Sequence, residues 1–138
     1  TTYEMPDLNL QYVSPVNAVK TSDFGYRMHP SENKVLFHYG TDYGCSIGTD
    51  VCTFSDGEVT AVTDSASYGK NVIITHSGGT TTRYAHCSEI LVEVGDKVKM
   101  GDVVAKSGDT GNATGPCMHF ELRISDVYVN PDYYLSLI

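Results

Sequence analysis

Apolar and polar positions alternate over short runs in this chain, and the runs are separated by glycine turns. Val59-Thr-Ala-Val62, Asn71-Val-Ile-Ile-Thr75, Thr80-Thr-Thr-Arg-Tyr84, Val103-Val-Ala105 and Met118-His-Phe-Glu-Leu-Arg-Ile124 are rich in β-branched and aromatic residues. That composition predicts strands. Asp56-Gly57, Tyr68-Gly69, Ser77-Gly-Gly79, Gly95-Asp96, Gly101-Asp102 and Gly108-Asp109 supply the turns between them. No segment keeps helical spacing over three turns. Short strands at short intervals predict an all-β fold of packed antiparallel sheets, a sandwich or open barrel.

Residues 1–11 carry little pattern and read as a linker or N-terminal arm. One domain spans 12–138, its body beginning near Tyr12-Val-Ser-Pro15. A faint echo links Gly48-Thr-Asp-Val51 and Asp56-Gly-Glu-Val59 to Gly95-Asp-Lys-Val98 and Gly101-Asp-Val-Val104. Biotin and lipoyl carriers share this grammar. A carrier, however, presents its lysine at a hairpin tip, whereas Lys99 precedes Met100-Gly101 in a connecting segment. Turn chemistry accounts for the echo more simply.

The 138 residues make one core of ordinary size. No apolar run approaches a membrane span. The chain starts at Thr1 without a signal sequence and reads as a mature or excised fragment. The net charge of −8, from 9 basic and 17 acidic residues, argues against nucleic acid and anionic membrane as partners, since both need a basic footprint. Four cysteines are too few for a disulfide scaffold. Cys45 and Cys52 flank a turn-like stretch. Either they close a bridge across it, which would imply an oxidising compartment, or they stay free thiols in a small β core.

His38 and Asp42 lie four residues apart with Gly40 between them. Glycine disfavours a helix there. A straight strand would hold the two backbones about 13 Å apart. A bend at Gly40 brings imidazole and carboxylate together, on a strand that turns back on itself. Cys117 and His119 have strand spacing, about 6.6 Å apart on one face, after a turn at Gly115-Pro116. Two histidines and an aspartate would give zinc three ligands and leave a position for water, which a metal-polarised carbonyl then receives. His86 ends an alternating strand, with Tyr84 on its face and Ala85 on the other. Any single histidine is ordinarily a hydrogen-bonded structural residue, and His29 and His76 are read so. Gly108–Gly115 lacks the lysine and helix of a phosphate loop and reads as a turn. The glycosylation pattern Asn112-Ala-Thr114 carries no weight.

Four stretches stand in one order: His38-Tyr-Gly-Thr-Asp42, Tyr84-Ala-His86, Gly108–Pro116 and Cys117-Met-His119-Phe-Glu-Leu122. Together with Asp23-Phe-Gly-Tyr-Arg27-Met-His-Pro30 and Asn130-Pro131 before Tyr133-Tyr-Leu135, they resemble the lysostaphin/LytM-type zinc endopeptidases over about Val13–Leu135. The resemblance implies a grooved fold with one zinc on His38, Asp42 and His119. It implies His86 as one of two catalytic histidines that handle the attacking water or the oxyanion. It also implies a bacterial cell-wall (peptidoglycan) peptide as substrate and a place outside the cytoplasm or in the cell envelope. The competing expectation is a non-catalytic module of the same fold that binds wall peptide or an envelope protein.

The chain departs from that family at one position. The family reads His-x-His where this chain reads Cys117-Met118-His119, so Cys117 stands where the second catalytic histidine belongs. Three fates are open to it: a disulfide to Cys87, disfavoured because neighbours on a strand face opposite ways; direct zinc ligation, which would close the site; or a free thiol or thiolate beside the water, the preferred fate, which leaves activity weak.

Overall fold

The computed structural model describes residues 6–29 and 34–136, with the side chains at 27–29 and 34 outside that description. The expectation for His29 falls among the latter. Among the described residues, twelve strands run in chain order: β1 (Val19–Ser22), β2 (Gly25–His29), β3 (Lys34–His38), β4 (Thr41–Gly44), β5 (Asp50–Cys52), β6 (Gly57–Ser65), β7 (Gly69–Thr75), β8 (Thr80–Ile90), β9 (Lys97–Val98), β10 (Val103–Ser107), β11 (Cys117–Ile124) and β12 (Val127–Val129). A short helix, α1 (Pro131–Leu135), follows, with Asn130 capping its first turn. All five sequence-predicted runs fall inside strands. β1 to β5, β9 and β12 are too short or too polar to show an alternation, and their pairing partners define them instead.

Every strand pairing among the described residues is antiparallel. β1-β4-β11-β8-β7-β6-β9 form the main path, β10 joins β5 to β8, β12 flanks β11, and β2-β3 make a separate hairpin. The long β8 binds the structure together. Its first half lies between β7 and β11, and its second half pairs with β10. Alternation then sorts the side chains. Met118, Phe120 and Leu122 of β11 enter the core with Tyr84, Val72, Ile74, Phe54 and Val51, while Cys117, His119 and Glu121 line the opposite face.

The core holds a polar chain whose hydrogen-bond directions follow from a neutral His76 ring. The Phe54 amide donates to the Tyr84 hydroxyl (2.9 Å), which donates to Thr82 Oγ1 (2.7 Å). Thr82 in turn donates to His76 Nε2 (2.8 Å), and His76 Nδ1–H donates to the Asp56 carbonyl (2.7 Å). His76 is thus the structural residue that its sequence context predicts. With the ring neutral, every group along the chain is satisfied. Of the 6–11 segment, Leu8 is buried against the core, and the Pro6 carbonyl accepts from the Tyr134 hydroxyl.

Candidate functional site

Gly40 stands at the bend between β3 and β4, the bend expected from the spacing of His38 and Asp42, but β4 does not turn back on β3: it pairs with β1 and β11 instead. The reason for glycine is space. A Cβ there would stand 2.3 Å from the Phe120 carbonyl oxygen and 2.9 Å from His119 Cε1. Close contact with β11 thus sets Asp42 opposite His119 in the β4–β11 register. One ligand atom each from His38, Asp42 and His119 lies within 4.8 Å of the others.

The rings are held by their outer nitrogens. His38 Nδ1–H donates to the Asp23 carbonyl at 2.7 Å, which leaves Nε2 facing Asp42 Oδ2 at 3.4 Å. His119 meets Asp42 Oδ1 through Nδ1 (2.7 Å) and Glu121 Oε2 through Nε2 (2.9 Å). Burial raises the Asp42 carboxyl, but hydrogen bonds from His119 and His38 overcome that and hold it well below the usual carboxylate range. Burial likewise opposes a charged His119, yet the carboxylates on its two nitrogens lift it to about 9. His119 thus holds a proton between two carboxylates, a place that equally suits a metal cation. A metal would fit by replacing that proton: Nε2–H would stay on Glu121, and Nδ1, Asp42 and His38 Nε2 would offer an N, N, O donor set that suits zinc.

His86 enters the same groove, a space of about 390 Å³ that Tyr39, Tyr68 and Asn112 also line. Its ring centroid is 5.9 Å from that of His119. Here the sequence reading needs correction, because Tyr84 and His86 do not share a face. Between the pairs Val72↔Tyr84 and Lys70↔Cys87, β8 has one residue more than β7. This bulge puts His86 at φ 62°, turning its ring into the groove while Tyr84 and Cys87 both face the core. The bulge is braced from two sides. The His86 amide donates to the Tyr68 carbonyl at 2.8 Å, and Nδ1–H donates to the Thr110 carbonyl at 2.8 Å. Gly69 completes the brace, since a Cβ there would meet Thr110 at 2.4 Å. With the proton on Nδ1, Nε2 is a free base. Burial lowers the ring's proton affinity, partly offset by the bond to Thr110.

Cys117 shares the β11 face of His119, but its sulfur is not among the converging atoms. It is a free thiol, as are Cys45, Cys52 and Cys87. Burial first, then the charge of Asp42, push the Cys117 thiol up to about 11 in the metal-free protein. The bridge considered between Cys45 and Cys52 does not form; each thiol donates to a backbone carbonyl, of Tyr43 and Ser14 respectively. Cys87 fills a core position, so it has no bond to Cys117.

Sequence reasoning assigned no role to Glu121, Tyr68, Arg83 or Thr110. For Glu121 the signal was present, since the alternation that places Cys117 with His119 also adds residue 121. Tyr68 and Thr110 come from turns, whose spacing does not encode their neighbours.

A model of Peptidase family M23 matches residues 36–131. The peptidoglycan DD-endopeptidase ShyA of Vibrio cholerae is 42% identical over 104 residues, covering 75% of this chain and 24% of that protein. The chain spans about a quarter of the length of the curated relatives it matches. Among solved structures, a zinc-containing peptidase from Vibrio cholerae superposes with a TM-score of 0.83 at 36% identity, over 87% of this chain and 39% of that one. The catalytic domain of the antimicrobial peptidase lysostaphin from Staphylococcus simulans gives 0.75 at 28%, over 86% and 92%.

Proposed function

The chain belongs to peptidase family M23, and from that premise we propose that it is a zinc-dependent endopeptidase domain that hydrolyses a peptide bond of bacterial cell-wall peptidoglycan. The observation that carries this reading is the convergence of His38, Asp42 and His119 on one point of an open groove, with His86 beside them. The domain is taken as residues 12–138 with 1–11 as an arm, and its place of action as the cell envelope or outside the cell.

His38 Nε2, Asp42 and His119 Nδ1 would hold the zinc. Bound there, zinc supplies Lewis acidity to an amide carbonyl and to water. His86 Nε2 takes a proton from water in the groove, because Nδ1–H is committed to the Thr110 carbonyl. The same nitrogen, once protonated, can return that proton to the departing amine. Cys117 offers a weak donor where an imidazole would both give and take a proton, so the second half of the acid–base work is poorly supplied. Glu121 is no substitute base: His119 and Tyr68 both donate to it.

Digestion of purified peptidoglycan tests the proposal. Wild-type protein should release new free amines slowly, and His86→Ala should release none. Cys117→His should raise the rate by roughly 10²–10⁴-fold, while Cys117→Ala should not. A Cys117→His variant that is folded and zinc-loaded yet inert on every wall type would overturn the enzyme reading. The non-catalytic module, holding wall peptide or an envelope protein, would then stand in its place.

A further inference from the structure

Behind His119 lies a buried relay that the hydrolytic chemistry leaves unused. The Glu121 carboxylate is 2% exposed, yet its Oε2 accepts from both His119 Nε2 (2.9 Å) and the Tyr68 hydroxyl (2.7 Å). Its Oε1 has no hydrogen-bond partner and faces the Arg83 guanidinium at 3.5 Å. That guanidinium lies 4.2 Å over the Tyr68 ring. A carboxylate buried this deeply is costly unless its charge is answered, and here a histidine, a phenol and a guanidinium answer it from three elements.

We propose that Glu121 is the positioning residue of the metal centre, and that Tyr68 holds Glu121 in place through the shared Oε2. The inference rests on the metal reading given above. By accepting from Nε2 at 2.9 Å, Glu121 keeps a ring proton on that side and directs Nδ1 toward Asp42. A carboxylate on the outer nitrogen of a ligating histidine also raises the basicity of the inner one. Tyr68 limits where Oε2 can stand, and the stacked Arg83 restricts the Tyr68 ring in turn. Without the relay, His119 could rotate or adopt the other tautomer, and one of three ligands would be lost.

Glu121→Gln and Tyr68→Phe test this in the full chain, read by zinc competition against a chromophoric chelator and by the visible spectrum of the cobalt(II)-loaded protein. Glu121→Gln should weaken zinc binding by about ten-fold or more and shift the cobalt bands. Tyr68→Phe, which keeps the ring under Arg83, should move both readouts in the same direction by less. A role confined to packing would lower the melting temperature of the metal-free protein and leave the cobalt spectrum unchanged. Wild-type affinity and spectrum in both variants would overturn the proposal, and should Glu121→Gln not fold, the same result for Tyr68→Phe alone would do so. A loss in Glu121→Gln with Tyr68→Phe unchanged would overturn the part given to Tyr68. Wild-type protein that takes up no zinc would overturn the metal reading itself, which is a separate outcome.

Discussion

Gly40 shows how closely the site depends on single atoms. A methyl group there would sit 2.3 Å from a carbonyl oxygen of β11 and 2.9 Å from the ring of His119, so either β4 or β11 must move. Gly40→Ala is expected to cost about 1–3 kcal/mol, the usual range for overpacking, and to weaken zinc binding by displacing His119 from Asp42. Denaturant unfolding of the metal-free protein, with chelator competition on the loaded form, checks both. Unchanged zinc affinity would show that the ligands adjust independently of the contact. The Gly40 bend was legible in the sequence, but its cause was not. Glycine suggested unusual backbone angles, whereas the constraint is the neighbouring strand, which is distant in sequence.

Among the elements, β8 bears the most. It supplies Thr82 and Tyr84 to the buried polar chain, His86 to the groove and Cys87 to the core. The chain ends at His76, whose proton affinity is lowered from the ordinary 6.5, chiefly by burial and against the pull of Asp56. The unfolded ring takes a proton below about pH 6.5 and the folded ring resists it. The stability from this group is therefore complete above that pH and falls as the pH drops below it, by at most about 1.4 kcal/mol per pH unit. Comparing wild type with His76→Gln, which can bond to both partners without titrating, isolates this contribution. The wild-type advantage should shrink between pH 7.5 and 5, and a constant difference would disprove the assignment. Period two located β8 in the sequence, but the bulge at His86 breaks that period and no turn residue announces it. The strand therefore looked regular, and Tyr84 was put on the wrong face.

At the scale of the molecule, the three proposed ligands come from β3, the start of β4 and β11, so a metal held by them would tie the hairpin end to the main sheet. Metal binding to the folded form alone must stabilise it by mass action. With free zinc at about a hundredfold over its dissociation constant, the gain is about 2.7 kcal/mol, which for a chain of this size corresponds to a melting temperature roughly 10 °C higher. Thermal unfolding with zinc and then with excess chelator should show this rise and its reversal. A melting temperature indifferent to both would count against a site that spans these elements.

The sequence by itself determined the class of the fold, since alternation and turn chemistry are local properties that five strands state without reference to neighbours. It also determined the family, through four short stretches in one order, and brought out His38, Asp42, His86, Cys117 and His119 as the residues to watch. Only the tertiary structure decided what those residues do to one another. Register across β4, β11 and β8 sets Asp42 against His119, the bulge in β8 turns His86 inward, and the distant turn residues Tyr68 and Thr110 fix a carboxylate and a tautomer. These are contacts between positions tens of residues apart, and sheet pairing, which a linear pattern does not encode, creates them.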